Sequence, residues 1–191
     1  ELFHYRTRTE VLISEGKYGD ALQVGRESLQ TDSTLTLLRI YALAKTGRLG
    51  DGLFCYPLVG GSGSMSPIGQ GMHLLLLTPQ ALAKDIKSPK MQRDYRLCSL
   101  LLDRRLDEFA RLLQSSYSIG ARLPRHYREA LYLYTHTRSN PVVTVADNVM
   151  DADFEDFEKL THSAESAVRD AYGNTYWYYF KFGKSNPKTH L

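Results

Sequence analysis

Five carboxylates, Asp151, Asp153, Glu155, Asp156 and Glu158, crowd one short stretch of the chain. A hard divalent cation such as calcium wants several such oxygens on a curved segment. The spacing fails that chemistry where it is most demanding: Asp156 stands where the sharp turn of a calcium loop needs glycine, and His162 where a bidentate glutamate belongs. An acid-rich first turn of a helix explains the run better, because carboxylates are favoured at the positive end of the helix dipole. Glu158 and His162 lie one helical turn apart but have no third ligand, and the histidines at 4, 73, 126, 136, 162 and 190 form no H-x-x-x-H or H-E-x-x-H pair. No metal and no cofactor is expected.

The loop Gly60-Gly61-Ser62-Gly63-Ser64-Met65-Ser66 has the composition of an anion cradle, since backbone amides of glycine-rich loops bind phosphate. It departs from both nucleotide patterns: Ser66 stands where G-x-G-x-x-G needs its last glycine, and no lysine follows as a P-loop requires. Its likeness to the G-x-S-x-G nucleophile elbow is passing, because no strand-to-helix context surrounds it. Cys55 and Cys98 belong to no C-x-x-C pair and no metal-spaced cluster, and are expected as buried free thiols, with a disulfide between them the alternative in an oxidising compartment. No catalytic constellation is assembled along the chain. An enzyme or small-ligand receptor would have to build its site from distant residues, such as His126 and His136 with Asp151 or Asp153.

Charge placement is more informative. Lys90 to Arg128 holds nine basic and four acidic residues, a surplus of five, whereas Ala146 to Asp170 holds eight acidic and two basic, a deficit of six. Solvated helix faces account for much of this. A basic groove lined by Arg104, Arg105, Arg122, Arg125 and Arg128 is the functional alternative, because the planar guanidinium fork captures carboxylates through both oxygens. The aromatic run Tyr176 to Phe182 is best accounted for by packing over the open end of a helical stack, and Trp177 and Tyr179 within it are the candidates for a docking or membrane-interface patch if it is exposed.

The whole chain bounds these readings. It has 191 residues, 42% hydrophobic and 24% charged, with 24 basic side chains against 21 acidic. That is enough for one compact domain. The net +3 is far below the basic excess that binds a phosphate backbone, so nucleic acid is not an expected partner. The longest solid apolar block, Met72 to Leu77, contains a histidine and is too short to span a bilayer. The chain opens Glu1-Leu2-Phe3 with no leader pattern, which suggests a piece of a longer protein.

Helical periodicity runs through most of the sequence, and the expected fold class is all-α. The stripes predict helices from Leu2 to Glu15, from Tyr18 to Gln30 and across Leu35 to Ala44, closed by Gly47. Thr78-Pro79 and Ser88-Pro89 each supply a cap followed by proline at the first helical position. The second of these starts a helix carrying Tyr95, Leu97, Cys98 and Leu101, and a turn at Arg104-Arg105-Leu106 precedes a partner with Phe109, Ala110, Leu112 and Leu113. Further helices are expected from Arg125 to Thr137 and from a cap at Asp153 to Tyr172, with Gly173 as the stop. The aromatic run is expected as an extended tail, and Pro67 to Leu77 is left open.

Self-comparison at a shift of 31 positions superposes Leu12 on Leu43, Gly16 on Gly47, Tyr18 on Leu49 and Ala21 on Gly52, the mark of a helix-pair unit used twice. A third unit at a shift of 88 puts Leu106 on Tyr18 and Phe109 on Ala21. The stretch Gly16-Lys17-Tyr18-Gly19-Asp20-Ala21-Leu22 with Ser28-Leu29 before Asp32 resembles the second half of the tetratricopeptide repeat. That resemblance covers residues 4–54, lacks the tryptophan and leucine-glycine of the first helix, and implies antiparallel helix pairs stacked as a short superhelix. The layout is also similar to the carboxyl-terminal region of a bacterial family whose amino-terminal part is multi-spanning, which implies a parent anchored in a membrane.

The expected organisation is a single helical domain, 1–191, with paired helices over 1–57, a flexible Gly/Ser linker and unsettled segment over 58–77, helices over 78–173 and the tail over 174–191. The expected function is a non-catalytic interaction or scaffold module for a protein or peptide partner, one with acidic character.

Overall fold

A computed structural model describes residues 1–68, 72–118 and 122–183. Its helices are α1 (Leu2–Ser14), α2 (Tyr18–Ala21), α3 (Ser33–Lys45), α4 (Leu49–Gly52), α5 (Pro79–Asp85), α6 (Pro89–Leu102), α7 (Leu106–Ser116), α8 (Arg125–Thr137), α9 (Asn148–Leu160), α10 (Glu165–Tyr172) and α11 (Tyr176–Phe182). Short 3-10 turns follow α4 and occupy Gly61–Met65, and no strand occurs among the described residues. The protein is all-α.

Three helix pairs share one turn. After α1, the Gly16 N–H donates to the Ile13 carbonyl and the Lys17 N–H to that of Leu12; after α3, Gly47 and Arg48 donate to Ala44 and Leu43; after α6, Arg104 and Arg105 donate to Leu101 and Leu100. This closure needs a left-handed residue just past each helix. Gly16 (φ 74°) and Gly47 (φ 67°) supply it freely, and Arg104 (φ 57°) is the one non-glycine with positive φ among the described residues. The next helix opens two residues later in each case, at Tyr18, Leu49 and Leu106.

Small residues sit where the pairs close. Ala21 is fully buried, and a Cβ added at Gly52 would come 2.6 Å from Leu43 Cδ2. Gly50 is tighter against the later helices: a Cβ there would meet Pro124 Cβ at 2.7 Å and Tyr127 Cζ at 2.9 Å. Through this gap α4 packs on α8, and α8 in turn lies on α7 and α11.

Several expected elements differ. The helix from Tyr18 to Gln30 stops at Ala21, and residues 22–27 form turns. Arg39, only 1% exposed on α3, donates through Nη2 to the carbonyls of Val24 (3.2 Å) and Gly25 (3.1 Å), while its guanidinium lies 4.9 Å from the Tyr56 ring. Those carbonyls serve a buried cation instead of a helix ladder. The Gly/Ser stretch is a packed 3-10 turn: Ser64 and Met65 are buried, and Asp103 accepts from the Ser62 N–H at 3.0 Å and its hydroxyl at 2.5 Å. Of the open segment, residues 69–71 lie outside the described residues. Leu75, Leu76 and Leu77 donate their N–H groups to Glu10 Oε1 at 2.8, 2.7 and 2.8 Å, so a carboxylate 1% exposed pins that irregular run to α1.

The last long helix is two. Asp147, not Asp153, caps α9 by accepting from Val149 and Met150, and the chain breaks at 161–164 before α10. The aromatic run is a helix rather than an extended tail. Thr175 caps α11 by accepting from the Tyr178 N–H, and Tyr176, Trp177 and Tyr179 are buried. A segment apolar on nearly every face has no stripe to read, which is why its period is invisible. Trp177 Nε1 donates to the Glu129 carbonyl at 2.9 Å, Tyr176 OH to Leu101 at 3.0 Å and Tyr179 OH to Leu102 at 2.7 Å. The Tyr179 phenol thereby satisfies the Leu102 carbonyl, left open at the end of α6, and the Tyr176 phenol adds a second donor to the Leu101 carbonyl, which also accepts from the Arg104 N–H.

Candidate functional site

The five arginines expected to line one groove divide into two groups. Arg104 reaches over the end of α11: Nε donates to the Phe180 carbonyl and Nη2 to that of Tyr179, both at 3.0 Å, with a third bond to Gly183. Arg105 pairs with Glu108 one turn on, and Arg125 lies 3.4 Å from Glu129 Oε2 and donates to Asn174 Oδ1 at 3.3 Å. These three charges are engaged within the fold. Trp177 and Tyr179 are 2% and 8% exposed, so neither offers a surface.

Arg122 and Arg128 are different. Both line a cavity of about 340 Å³ between α7, α8 and the run 143–150. The spacing of Ala110, Leu113 and Gln114 turns one face of α7 toward it, and Arg128 and Leu131 share a face of α8. Leu123, Val143, Val145 and Met150 complete apolar walls. Neither guanidinium has a side-chain hydrogen bond or ion-pair partner among the described residues. Asp147, the one acid lining the cavity among the described residues, spends its Oδ1 on the cap of α9. An apolar hollow carrying two uncommitted planar cations suits a ligand group that is greasy at one end and anionic at the other.

The histidines do not converge. His126 and His136 are ten residues apart on α8, about 15 Å along its axis. His136 stacks on Tyr132 with ring centres 4.1 Å apart and has Nε2 3.8 Å from Asp151, whose carboxylate also accepts from the Tyr132 hydroxyl. Asp153 accepts from Tyr172 OH at 3.1 Å. Among the described residues, no group of three or more His, Cys, Asp or Glu side chains is arranged to hold a metal ion.

His126 instead belongs to a constellation that sequence reasoning missed. Its Nδ1 donates to Glu129 Oε1 at 2.6 Å, and its Nε2 accepts from the Phe54 N–H at 3.2 Å and faces Cys55 Sγ at 3.9 Å. Glu129 Oε1 also accepts from the Tyr176 N–H at 3.1 Å. Burial pushes the Cys55 thiol upward, but the bond to His126 and the charges of His126 and Arg125 bring it below the ordinary cysteine value. For His126 burial works downward, and the hydrogen bonds with Cys55 and Glu129 outweigh it, so the ring is more basic than usual. Cys98 contrasts: fully buried, its thiol is pushed up to about 12. Both cysteines are free. The only sequence signal for the pair was the helix spacing of His126 and Glu129, since Cys55 is 71 positions away.

Paired helices, an apolar cavity with two cations, and helices none of which among the described residues is long and apolar enough to cross a membrane define an all-helical module with a ligand-sized recess. The chain belongs to a family of unknown function, DUF6057, whose profile matches residues 73–183. Every residue lining the α7–α8 cavity falls inside that stretch, and Cys55 outside it. No curated protein and no solved structure matches the chain.

Proposed function

We propose that the protein is a non-catalytic binding module whose recognition site is the α7–α8 cavity, and that its partner is a peptide segment carrying an apolar anchor side chain beside an acidic group. The observation that carries this reading is the pair Arg122 and Arg128 at an apolar recess without acidic partners among the described residues. Burying an apolar anchor supplies most of the affinity, and the guanidinium forks supply selectivity for carboxylate. Arg104, Arg105 and Arg125 take no part in recognition in this reading.

The repeated left-handed turns at Gly16, Gly47 and Arg104 support a tetratricopeptide-like stack, in which helix pairs present their faces to a bound segment. The layout similar to the carboxyl-terminal region of a multi-spanning bacterial family supports a parent anchored in a membrane. The buried aromatic helix does not supply the bilayer contact.

Selection of the purified protein against a displayed library of short peptides tests the site. Enriched sequences should pair a Leu, Phe or Met with Asp or Glu, and their affinity should fall about tenfold or more in Arg122→Ala/Arg128→Ala and weaken with added salt. Enrichment of sequences without acids, or affinity unchanged in the double variant, overturns the assignment.

A further inference from the structure

A second group lies on the other side of α8, opening on a groove of about 480 Å³ bounded by the chain after α4 and by α10 and α11. Cys55 lines this groove together with Tyr56, Arg169, Asn174 and Tyr178. Its thiol is half-buried, whereas His126 and Glu129 behind it are 1% and 5% exposed. From the groove the contacts run nucleophile, base, orienting carboxylate. Glu129 accepts from Nδ1, which leaves the lone pair of the neutral ring on Nε2, the nitrogen that faces Cys55.

We propose that Cys55 is a nucleophilic thiol that exchanges with low-molecular-weight disulfides entering this groove and so becomes S-thiolated. The surroundings of Sγ choose sulfur over carbon as the electrophile. Attack on a carbonyl builds negative charge on oxygen and needs donors aimed at it. The backbone groups that face Sγ are acceptors, the carbonyls of Asp51 and Asn174, each at 3.8 Å. Displacement at a disulfide spreads its charge over three sulfurs and forms no oxyanion.

The step balances without a further reagent. The S–H proton passes to His126 Nε2, the Cys55 thiolate attacks one sulfur of the disulfide, a new Sγ–S bond forms as the old S–S bond breaks, and the departing thiolate takes the proton from the imidazolium. One thiol is oxidised to a mixed disulfide and one half of the reagent is reduced to a thiol. Arg125 favours the thiolate, Glu129 favours the imidazolium, and the Phe54 N–H competes with Cys55 for Nε2 and so limits the thiol's acidity. Cys98, enclosed and bonded at 3.6 Å to Tyr127 OH, serves as an internal control.

The probe is the aromatic disulfide 5,5′-dithiobis(2-nitrobenzoate) applied to the native chain. One equivalent of the coloured thiol should be released before unfolding and the second only in denaturant, with Cys55→Ser removing the first. The rate should follow a titration centred below the value of about 8.5 of a free cysteine. His126→Gln should slow the reaction about tenfold or more at pH 7 and move its midpoint upward. If that variant does not fold, the pH profile of the unaltered protein decides alone. No release before unfolding, or a midpoint at or above that of free cysteine, overturns the proposal. Faster transfer of the acetyl group from p-nitrophenyl acetate to Cys55 than of the thiol group would overturn the choice of electrophile.

Discussion

The guanidinium of Arg104 lies 4.8 Å from the centre of the Tyr179 ring while its Nη2 donates to the Tyr179 carbonyl. A residue at the end of one helix thereby closes the end of another 75 positions away. Its own backbone is left-handed, a conformation disfavoured by about 1 kcal/mol or more for a residue with a side chain. The two facts belong together: glycine suits the turn, as at Gly16 and Gly47, but would forfeit the bonds that Arg104 makes to the carbonyls of Tyr179, Phe180 and Gly183.

Two substitutions separate these contributions. Arg104→Ala keeps the backbone strain and loses the bonds, and should lower unfolding stability by about 2 kcal/mol. Arg104→Gly loses the bonds but relieves the turn, and should be about 1 kcal/mol better than alanine. Urea unfolding followed by tryptophan fluorescence checks the order. Equal midpoints for alanine and the parent would mean that the bonds to α11 contribute nothing.

Glu10 offers a sharper case, because one buried carboxylate holds three consecutive amides of an irregular run. Glu10→Gln should cost about 1–2 kcal/mol, since an amide oxygen is a weaker acceptor, and Glu10→Ala more, since it strands the donors. The first local effect should be cleavage between residues 72 and 78 under limited proteolysis, well before global unfolding. Cleavage rates matching the parent's would show that the run is held by its leucines instead.

How much of this was legible depends on whether the signal was local. Helices α3, α6, α7 and α8 have clear stripes, α3 and α6 with side-chain caps at Asp32 and Ser88, and the turns at Gly16 and Gly47 declare themselves through glycine. Residues 22–30 carry an equally good stripe, yet Arg39 reaches across from α3 to claim their carbonyls, and no local pattern records that. The aromatic helix has no polar face to set its phase. Among the arginines, charge alone did not separate Arg122 and Arg128 from Arg104, Arg105 and Arg125. Glu108 and Glu129 stand one helical turn from Arg105 and Arg125, but Asn174 and the end of α11 are brought to Arg125 and Arg104 only by the tertiary fold.

The junction between the early pairs and α8 predicts an asymmetry between two glycines only two positions apart. At Gly50 a methyl group meets the ring of Pro124 and the Tyr127 ring, neither of which can turn away. At Gly52 it meets the far end of the Leu43 side chain, which can. Gly50→Ala should therefore cost about 1–3 kcal/mol through overpacking, and Gly52→Ala distinctly less. Thermal unfolding of the two variants side by side would expose an error if Gly52→Ala were the worse.

The tyrosines make stability depend on alkaline pH. Burial raises the phenol of Tyr179 to about 12, against the opposing charge of Arg104, and burial with the Asp94 carboxylate raises Tyr117 to about 12. In the unfolded chain each ionises near 10. Between about 10 and about 12 the folded state therefore binds more protons than the unfolded one, and stability must fall as pH rises through that window, while below it these groups contribute no slope. Tyrosinate absorbance should appear late and together with the loss of helical circular dichroism. Smooth ionisation of every phenol near pH 10 with the helices intact would mean that α11 does not shield Tyr179 as the packing requires.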